Sequence, residues 1–149
     1  LSDTFPTIAA IQLPVAGLDE LHQEALAEEI HFIDTLVDQW ETGANRFDRH
    51  GEVLCGCLLD GVLIAVGGLT IDPYVASGEV GRIRRVYVRR AWRNRGIGQA
   101  LMQTLIGAAR KSFTSVRLRA ENADAGRLYE RIGFLPIDDT NATHVLPLR

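Results

Sequence analysis

The stretch that most restricts what this chain can become runs from Ile83 to Leu118. Residues 83–88, with β-branched Ile83, Val86 and Val88, read as a strand, and a loop rich in arginine and glycine follows. Residues 97–110 then read as an amphipathic helix in which Ile97, Ala100, Leu101, Thr104, Leu105 and Ala108 share one face. A further extended run covers 116–120, and a helix is expected over 123–132. Strand, helix and strand in that order predict a crossover between parallel neighbours in one sheet. The rest of the chain predicts antiparallel partners. Residues 53–59 and 62–71 flank Asp60-Gly61, a pair that tolerates the positive φ of a tight hairpin. Asp72-Pro73 ends the second of these strands, and Ser77-Gly78 marks a turn. A first strand is expected over 7–13, helices over 18–32 and 32–40 with Gly43 as a stop signal, and closing strands over 134–137 and 144–148. The fold class that follows is α/β (α+β), with a mixed, mostly antiparallel sheet flanked by about four helices in a single domain of residues 1–149.

The longest apolar run, 62–69, is far short of the ~20 residues that cross a bilayer. The opening residues are acidic and contain a proline, without a basic segment leading into an apolar one. A soluble, cytoplasmic protein with no membrane partner is expected. Cys55 and Cys57 stand one residue apart, so on a strand they point to one face without disulfide geometry, and no further cysteine completes a metal site. They are expected to be reduced, buried thiols, and no metal is expected.

The formal net charge of -3 conceals a division. Residues up to Glu79 hold fourteen acidic side chains against Arg46 and Arg49, whereas the remainder holds five acidic and fourteen basic ones. Solvated faces on one globule would account for this, and so would one end that favours anions and another that favours cations. At the basic end, Arg93-Asn94-Arg95-Gly96-Ile97-Gly98 opens a helix with no Ser, Thr or Asp to cap it. Its free N–H groups and the positive end of the helix dipole can receive a phosphate, although the glycines alone equally fit an ordinary strand-to-helix turn. No Lys-Ser or Lys-Thr follows the glycines, which excludes the Walker pattern, and Leu101 stands where the dinucleotide fingerprint needs Gly or Ala.

Arg82, Arg84, Arg85, Arg89, Arg90, Arg93 and Arg95 crowd the same strand and loop, and like charges repel unless something anionic neutralises them. Nucleic acid would need an aromatic platform, for which only Tyr87 and Trp92 are at hand in an acidic chain, so no nucleic-acid partner is expected. A multiply phosphorylated small molecule fits better, with guanidinium groups around the helix terminus touching its phosphates.

Taken in order, Val86-Tyr87-Val88, the Arg93–Gly98 motif, Asn122 and Leu128-Tyr129-Glu130-Arg131-Ile132-Gly133-Phe134 resemble the GNAT superfamily of acetyl-coenzyme A dependent N-acetyltransferases. The resemblance covers nearly all of the second half, while the first half is similar to the family only in its order of elements. It implies a GNAT-like sheet with a splayed central strand and acetyl-coenzyme A as cosubstrate. Backbone groups of Val86, Tyr87 and Val88 would pair with the pantetheine arm as an added strand does. Backbone N–H groups of Arg93, Asn94, Arg95, Gly96, Ile97 and Gly98 would hold the pyrophosphate, and the Val88 N–H would polarise the thioester carbonyl. Asn122 would contact the cofactor and Tyr129 would sit beside its sulfur. Asn122 and Tyr129 are seven apart, which on a helix of ~100° per residue returns to nearly the same face. The same two residues also fit as a helix cap and a half-buried aromatic.

Four residues before Val86, where many relatives carry Glu, this chain has Arg82. An alkylammonium of pKa ~10.4 must lose a proton before it attacks a thioester. The expected base is Glu79 acting through water, followed by Asp72 and Glu52; Glu79 also fits as a solvated turn carboxylate. Tyr129 would donate to the leaving thiolate, with direct transfer in a ternary complex and no acetyl-enzyme. The absent glutamate keeps a non-catalytic acyl-coenzyme A binding or sensing domain as the alternative, against which Tyr129 argues. The charge division points to a cationic amine acceptor, with Trp40 and Phe47 as an aromatic wall and Glu41 or Asp48 as the carboxylate. Trp40 fits a core stripe equally well. A homodimer is left open.

Overall fold

The structure, a computed structural model, describes residues 5–148; residues 1–4 and 149, and with them most of the opening segment read for export signals, lie outside the described residues. The chain runs β1 (Thr7–Ala10), α1 (Leu18–Ala27), α2 (Phe32–Thr42), β2 (Val53–Leu59), β3 (Val62–Ile71), β4 (Val80–Val88), a 3-10 turn (Arg90–Trp92), α3 (Ile97–Ala109), β5 (Ser115–Leu118), α4 (Ala123–Ile132), β6 (Leu135–Pro136) and β7 (His144–Pro147). One sheet takes all the strands in the order β1-β2-β3-β4-β5-β7-β6. Only β4 and β5 pair in parallel, joined by the α3 crossover. Asp60 and Gly61 take φ 51 and 80 at the β2–β3 hairpin, the geometry their side chains allow. Helix α1 stops five residues before the expected end. Glu29 turns left-handed at φ 61, and Ile30 N–H and Glu29 N–H return to the carbonyls of Ala25 and Leu26, a Schellman closure made without glycine.

The sheet has a core on each face. On one, Leu101, Met102, Leu105 and Ile106 of α3 pack with Val116, Leu118, Phe134 and both cysteines. Cys55 and Cys57 are free thiols, and burial raises both pKa values. On the other face, Leu21 of α1 and Ile33 and Leu36 of α2 pack against Leu63, Val66 and Tyr87. Each fully buried leucine contributes roughly 1.5–3 kcal/mol of transfer free energy. Gly67 and Gly68 let both layers close on β3. A Cβ on Gly67 would stand 3.0 Å from Leu105, and one on Gly68 would strike the Phe47 ring.

Two irregularities in β4 shape the site. Val66 of β3 pairs with Tyr87 and Gly68 pairs with Arg84, so Arg85 and Val86 together oppose Gly67. Arg85 takes φ 62 in this bulge. The extra residue breaks simple alternation, so that Ile83, Val86 and Val88 pack with the α3 side and Tyr87 with the α1–α2 side. Further, β5 pairs with β4 only from Val80 to Arg82, after which the two strands part and β4 continues alone on that side to Val88. This is the splay. Among the described residues no helix is long and apolar enough to cross a membrane, and no cluster of three or more His, Cys, Asp or Glu could hold a metal ion.

Candidate active site

Where β4 turns into α3, a pocket of about 620 Å³ opens between the α3 N-terminus and α4, lined by Val88, Trp92, Gly96, Gly98 and Leu128 among others. Gly96 is the N-cap residue at φ 82, and no side chain caps the helix. A Cβ at Gly96 would meet nothing within 4 Å. Among the described residues, none of the N–H groups from Asn94 to Gln99 bonds to a loop, turn or cap acceptor. A helix end with open space over its first turn and its donors unspent fits a pyrophosphate by geometry and by the dipole.

The arginine side chains there are mostly occupied. Arg93 Nε donates to Val88 C=O at 2.9 Å, and its terminal nitrogens donate to both oxygens of Glu28 on α1, at 3.0 and 2.5 Å. Arg90 donates to Glu28 at 3.1 Å, and Arg89 to Glu24 at 3.3 Å. The Arg93 hydrogen bonds above all hold the Glu28 carboxyl down to about 2. Tyr87 is buried on the α1 side, its hydroxyl 2.8 Å from Glu24 and 2.5 Å from Glu28 and donating to one at a time. Burial and these two carboxylates raise its pKa. The Tyr87 backbone, on the same side as Arg89, faces β3 rather than the open edge, and the Arg93 N–H is bonded to the Arg90 carbonyl at 3.3 Å, so neither backbone N–H is free for the cofactor contact expected of it. Among the described residues Arg95 has no acid partner, and it stacks over the Trp92 ring at 5.0 Å.

The splay holds a second pocket, of about 240 Å³, lined by Phe32, Tyr74, Arg84, Arg85, Val86 and Tyr129 among others. Backbone groups of alternate strand residues point to opposite neighbours. Arg89 N–H bonds to Ile64 C=O on β3, so the Val88 N–H points the other way, to the side that β5 has left. Helix α4 brings Tyr129 to this opening. Asn122 caps it, Oδ1 accepting the Ala125 N–H at 2.8 Å, and Tyr129 lies two turns on with its ring 6.1 Å from Phe134 and 6.5 Å from His144. Among the described residues the Tyr129 hydroxyl makes no hydrogen bond, and burial first, then the Glu121 charge, raises its pKa. The hydroxyl thus stays protonated and free to donate.

Several expected residues lie elsewhere. Glu79 is exposed at the start of β4, its N–H accepted by Ser77 Oγ, and nine strand residues or roughly 30 Å separate it from Val88. That distance removes it as a base. Asp72 is buried between Arg117, at 2.9 Å, and Arg82, at 3.5 Å, and also accepts the Tyr74 N–H. Glu52 accepts from Arg49 and from the Ile71 N–H, so both carboxylates are structural. Phe47 is a core side chain pressed onto Gly68, and Trp40 packs partly buried in the same cluster. Both line a separate groove with Asp48, and Glu41 is exposed outside the pockets described here. Sequence reasoning missed Glu121, the carboxylate that lines the splay pocket with Tyr129. Its place directly before the Asn122 cap was the available signal. It also missed the role of Glu24 and Glu28, whose partners lie more than sixty residues away.

Residues 16–134 match the family model described as the acetyltransferase (GNAT) family. A protein of Exiguobacterium sp. 255-15 assigned as an acetyltransferase superposes with a TM-score of 0.86 at 25% identity, covering 96% of this chain and 93% of that one. A Salmonella typhimurium protein, YncA, likewise assigned and solved with acetyl-coenzyme A as its cofactor, gives a TM-score of 0.71 at 17% identity over 97% of this chain and 95% of that one. A mutant AtaT toxin, solved with the C-terminus of the antitoxin AtaR and acetyl-coenzyme A, gives 0.74 at 14% identity over 98% and 94%.

Proposed function

This chain belongs to the GNAT acetyltransferase family, and from that premise we propose that it transfers the acetyl group of acetyl-coenzyme A to a primary amine by direct attack in a ternary complex. The observation that carries the reading is that two pockets lie along the edge of β4 that β5 has left, one lined by the uncapped α3 terminus and Val88, the other by Val86 and Tyr129, whose hydroxyl is unbonded among the described residues. Acetyl-coenzyme A in the Salmonella typhimurium structure supports the donor. The N–H groups from Asn94 to Gln99 hold the pyrophosphate, and the exposed edges of Val86 and Val88 pair with the pantetheine arm. The Val88 N–H then stabilises charge on the thioester oxygen.

The acceptor nitrogen loses one proton to water ordered by Glu121 and attacks the acetyl carbon. The N–C bond forms, the C–S bond breaks, and its electron pair goes to sulfur, which takes the Tyr129 proton; water restores the phenol, and the amide nitrogen sheds its second proton to solvent. The free thiols at Cys55 and Cys57 fit work in a reducing, cytoplasmic compartment. A second reading, a domain that binds acyl-coenzyme A without turnover, draws support from Arg82 at the place of the usual glutamate and from the occupied Asp72 and Glu52.

Thiol release from acetyl-coenzyme A across a panel of primary amines separates the two. Tyr129→Phe keeps the ring and should lower kcat by about 10²-fold with donor affinity unchanged. Equal turnover in both proteins would reduce Tyr129 to packing, and donor binding without thiol release from any amine would favour the binding domain.

A further inference from the structure

The walls of the splay pocket carry four arginines, Arg82, Arg84, Arg85 and Arg119, against the single carboxylate Glu121. Two of the four are answered. Arg82 pairs with Asp72 and donates to the Asn141 carbonyl at 2.7 Å, and Arg119 donates to the Thr140 carbonyl. Arg84 and Arg85 are different: among the described residues neither side chain makes a hydrogen bond or an ion pair. The Nε of each is buried without a partner. Desolvation first, then the Arg82 charge, lowers the pKa of Arg84, with Asp72 and Glu52 acting in the opposite sense, and desolvation first, then Arg84 and Arg82, pushes Arg85 down to about 10; a guanidinium stays charged at neutral pH. Half-buried adjacent charges without a bonded partner carry a desolvation cost, and an anion between them offsets both that cost and the repulsion.

Among the described residues no carboxylate bonds to either guanidinium, although the Asp72 and Glu52 charges reach Arg84 from a distance. Asp72 is taken by Arg82 and Arg117, Glu52 by Arg49 and the Ile71 N–H, and Glu121 is exposed at the rim. The donor's pyrophosphate does not supply it either, since its cradle begins beyond Val88, four strand residues or roughly 13 Å past Arg84. Arg84 also lines an adjoining pocket of about 410 Å³ beside the loop after α2, where Arg46 and Arg49 stand with Asp48 and Glu52. Arg85 lies three residues, roughly 10 Å, from Val88, a gap that its side chain and a few bonds of acceptor can close.

We propose that the acceptor amine bears an anionic group, a carboxylate or a phosphate, which binds the guanidinium groups of Arg84 and Arg85 while its nitrogen meets the acetyl group near Val88 and Tyr129. The inference rests on the acetyl-transfer reading for the nitrogen but not for the anion. It departs from the cationic acceptor expected from the charge division, because Glu24, Glu28, Glu52 and Asp72 are paired with partners of their own and the splay wall carries four arginines.

The test uses matched amines on the full chain saturated with coenzyme A: an amino acid against its carboxamide, phosphoethanolamine against ethanolamine, and spermidine as a cation. Calorimetric affinity is measured for each, and thiol release is measured with acetyl-coenzyme A. The anionic member of at least one pair should bind about 10- to 100-fold more tightly than its neutral partner, and the pair showing the larger ratio tells carboxylate from phosphate. Arg84→Met and Arg85→Met should each shrink that ratio to a few-fold while the affinity for coenzyme A stays within about twofold. Equal affinity within both pairs, or tightest binding by spermidine, would overturn the proposal in the unmutated protein, whether or not the variants fold. Preferential anion binding without thiol release would sustain the anion site and sink the transfer reading instead.

Discussion

The two ends of the arginine run differ in who answers it. Beyond Val88, Arg89, Arg90 and Arg93 meet Glu24 and Glu28 of α1, which tie the donor loop to a helix on the far face of the sheet. In mid-strand, Arg84 and Arg85 form no ion pair among the described residues. A run of like charges that reads as one phosphate site in the sequence is therefore two devices. At the loop Arg89, Arg90 and Arg93 are structural, so on the proposed function the phosphates fall to backbone N–H groups and to Arg95, which pairs with no acid among the described residues; in the splay Arg84 and Arg85 are uncommitted, which makes them available to a ligand. Within a charged motif, the uncommitted members are the ones that speak about substrate.

The largest effect should come at the loop's backbone. Val in place of Gly96 must adopt φ 82, which costs roughly 1–3 kcal/mol in a β-branched residue, and its side chain fills the space over the helix end. Affinity for acetyl-coenzyme A, measured by calorimetry, should fall by at least about 10²-fold, equivalent to roughly 2.7 kcal/mol. If a folded Gly96→Val protein binds the donor as before, the phosphates are held by side chains and the contrast between the two ends collapses.

A smaller effect should follow at Glu28. Its carboxylate receives Arg90, Arg93 and the Tyr87 hydroxyl, so Glu28→Gln should cost about 2 kcal/mol of unfolding free energy at neutral pH, less than a fully buried pair because Arg90 is largely exposed. The carboxyl's folded pKa of about 2 lies below its ordinary 4.5, so the stabilisation is complete above that ordinary value and fades as pH falls from 4.5 towards 2. Urea unfolding across this range should show the gap between the two proteins closing with acid. A gap that ignores pH would mean that Glu28 acts by shape rather than charge.

Much of the frame was legible because local chemistry dictated it. Asp60-Gly61 specified the β2–β3 hairpin, Gly43 the end of α2, where it sits at φ 81, and Asn122 to Gly133 the whole of α4. The misses share one cause, a long-range partner that no period or spacing encodes. Glu29 closes α1 without glycine because Ile33 and Leu36 of α2 must turn back onto the same sheet face. The bulge at Arg85 carries no glycine either, and it decides which β4 side chains look into the splay. Phe47 reads as a binding aromatic until Gly68 is seen beneath it. Glu79 and Glu28 are alike as letters, yet only folding shows one at the remote end of β4 and the other clasping the donor loop.

The smallest effect, and the one of opposite sign, should be found at Arg84. If its charge is uncommitted in the free protein, Arg84→Met deletes a desolvated cation and its repulsion from Arg85 while keeping an aliphatic stem to pack. Unfolding free energy in the absence of ligand should then hold steady or rise, by no more than about 1 kcal/mol, where Glu28→Gln lowers it. Burial lowers the pKa of Arg84, so the difference between the two proteins should shrink as rising pH discharges the native guanidinium. Thermal melts of both variants, without ligand and at low salt, make the comparison direct. A drop of about 2 kcal/mol or more for Arg84→Met would show that the guanidinium already serves the fold, and the distinction between the answered and the unanswered end of the run would then be lost.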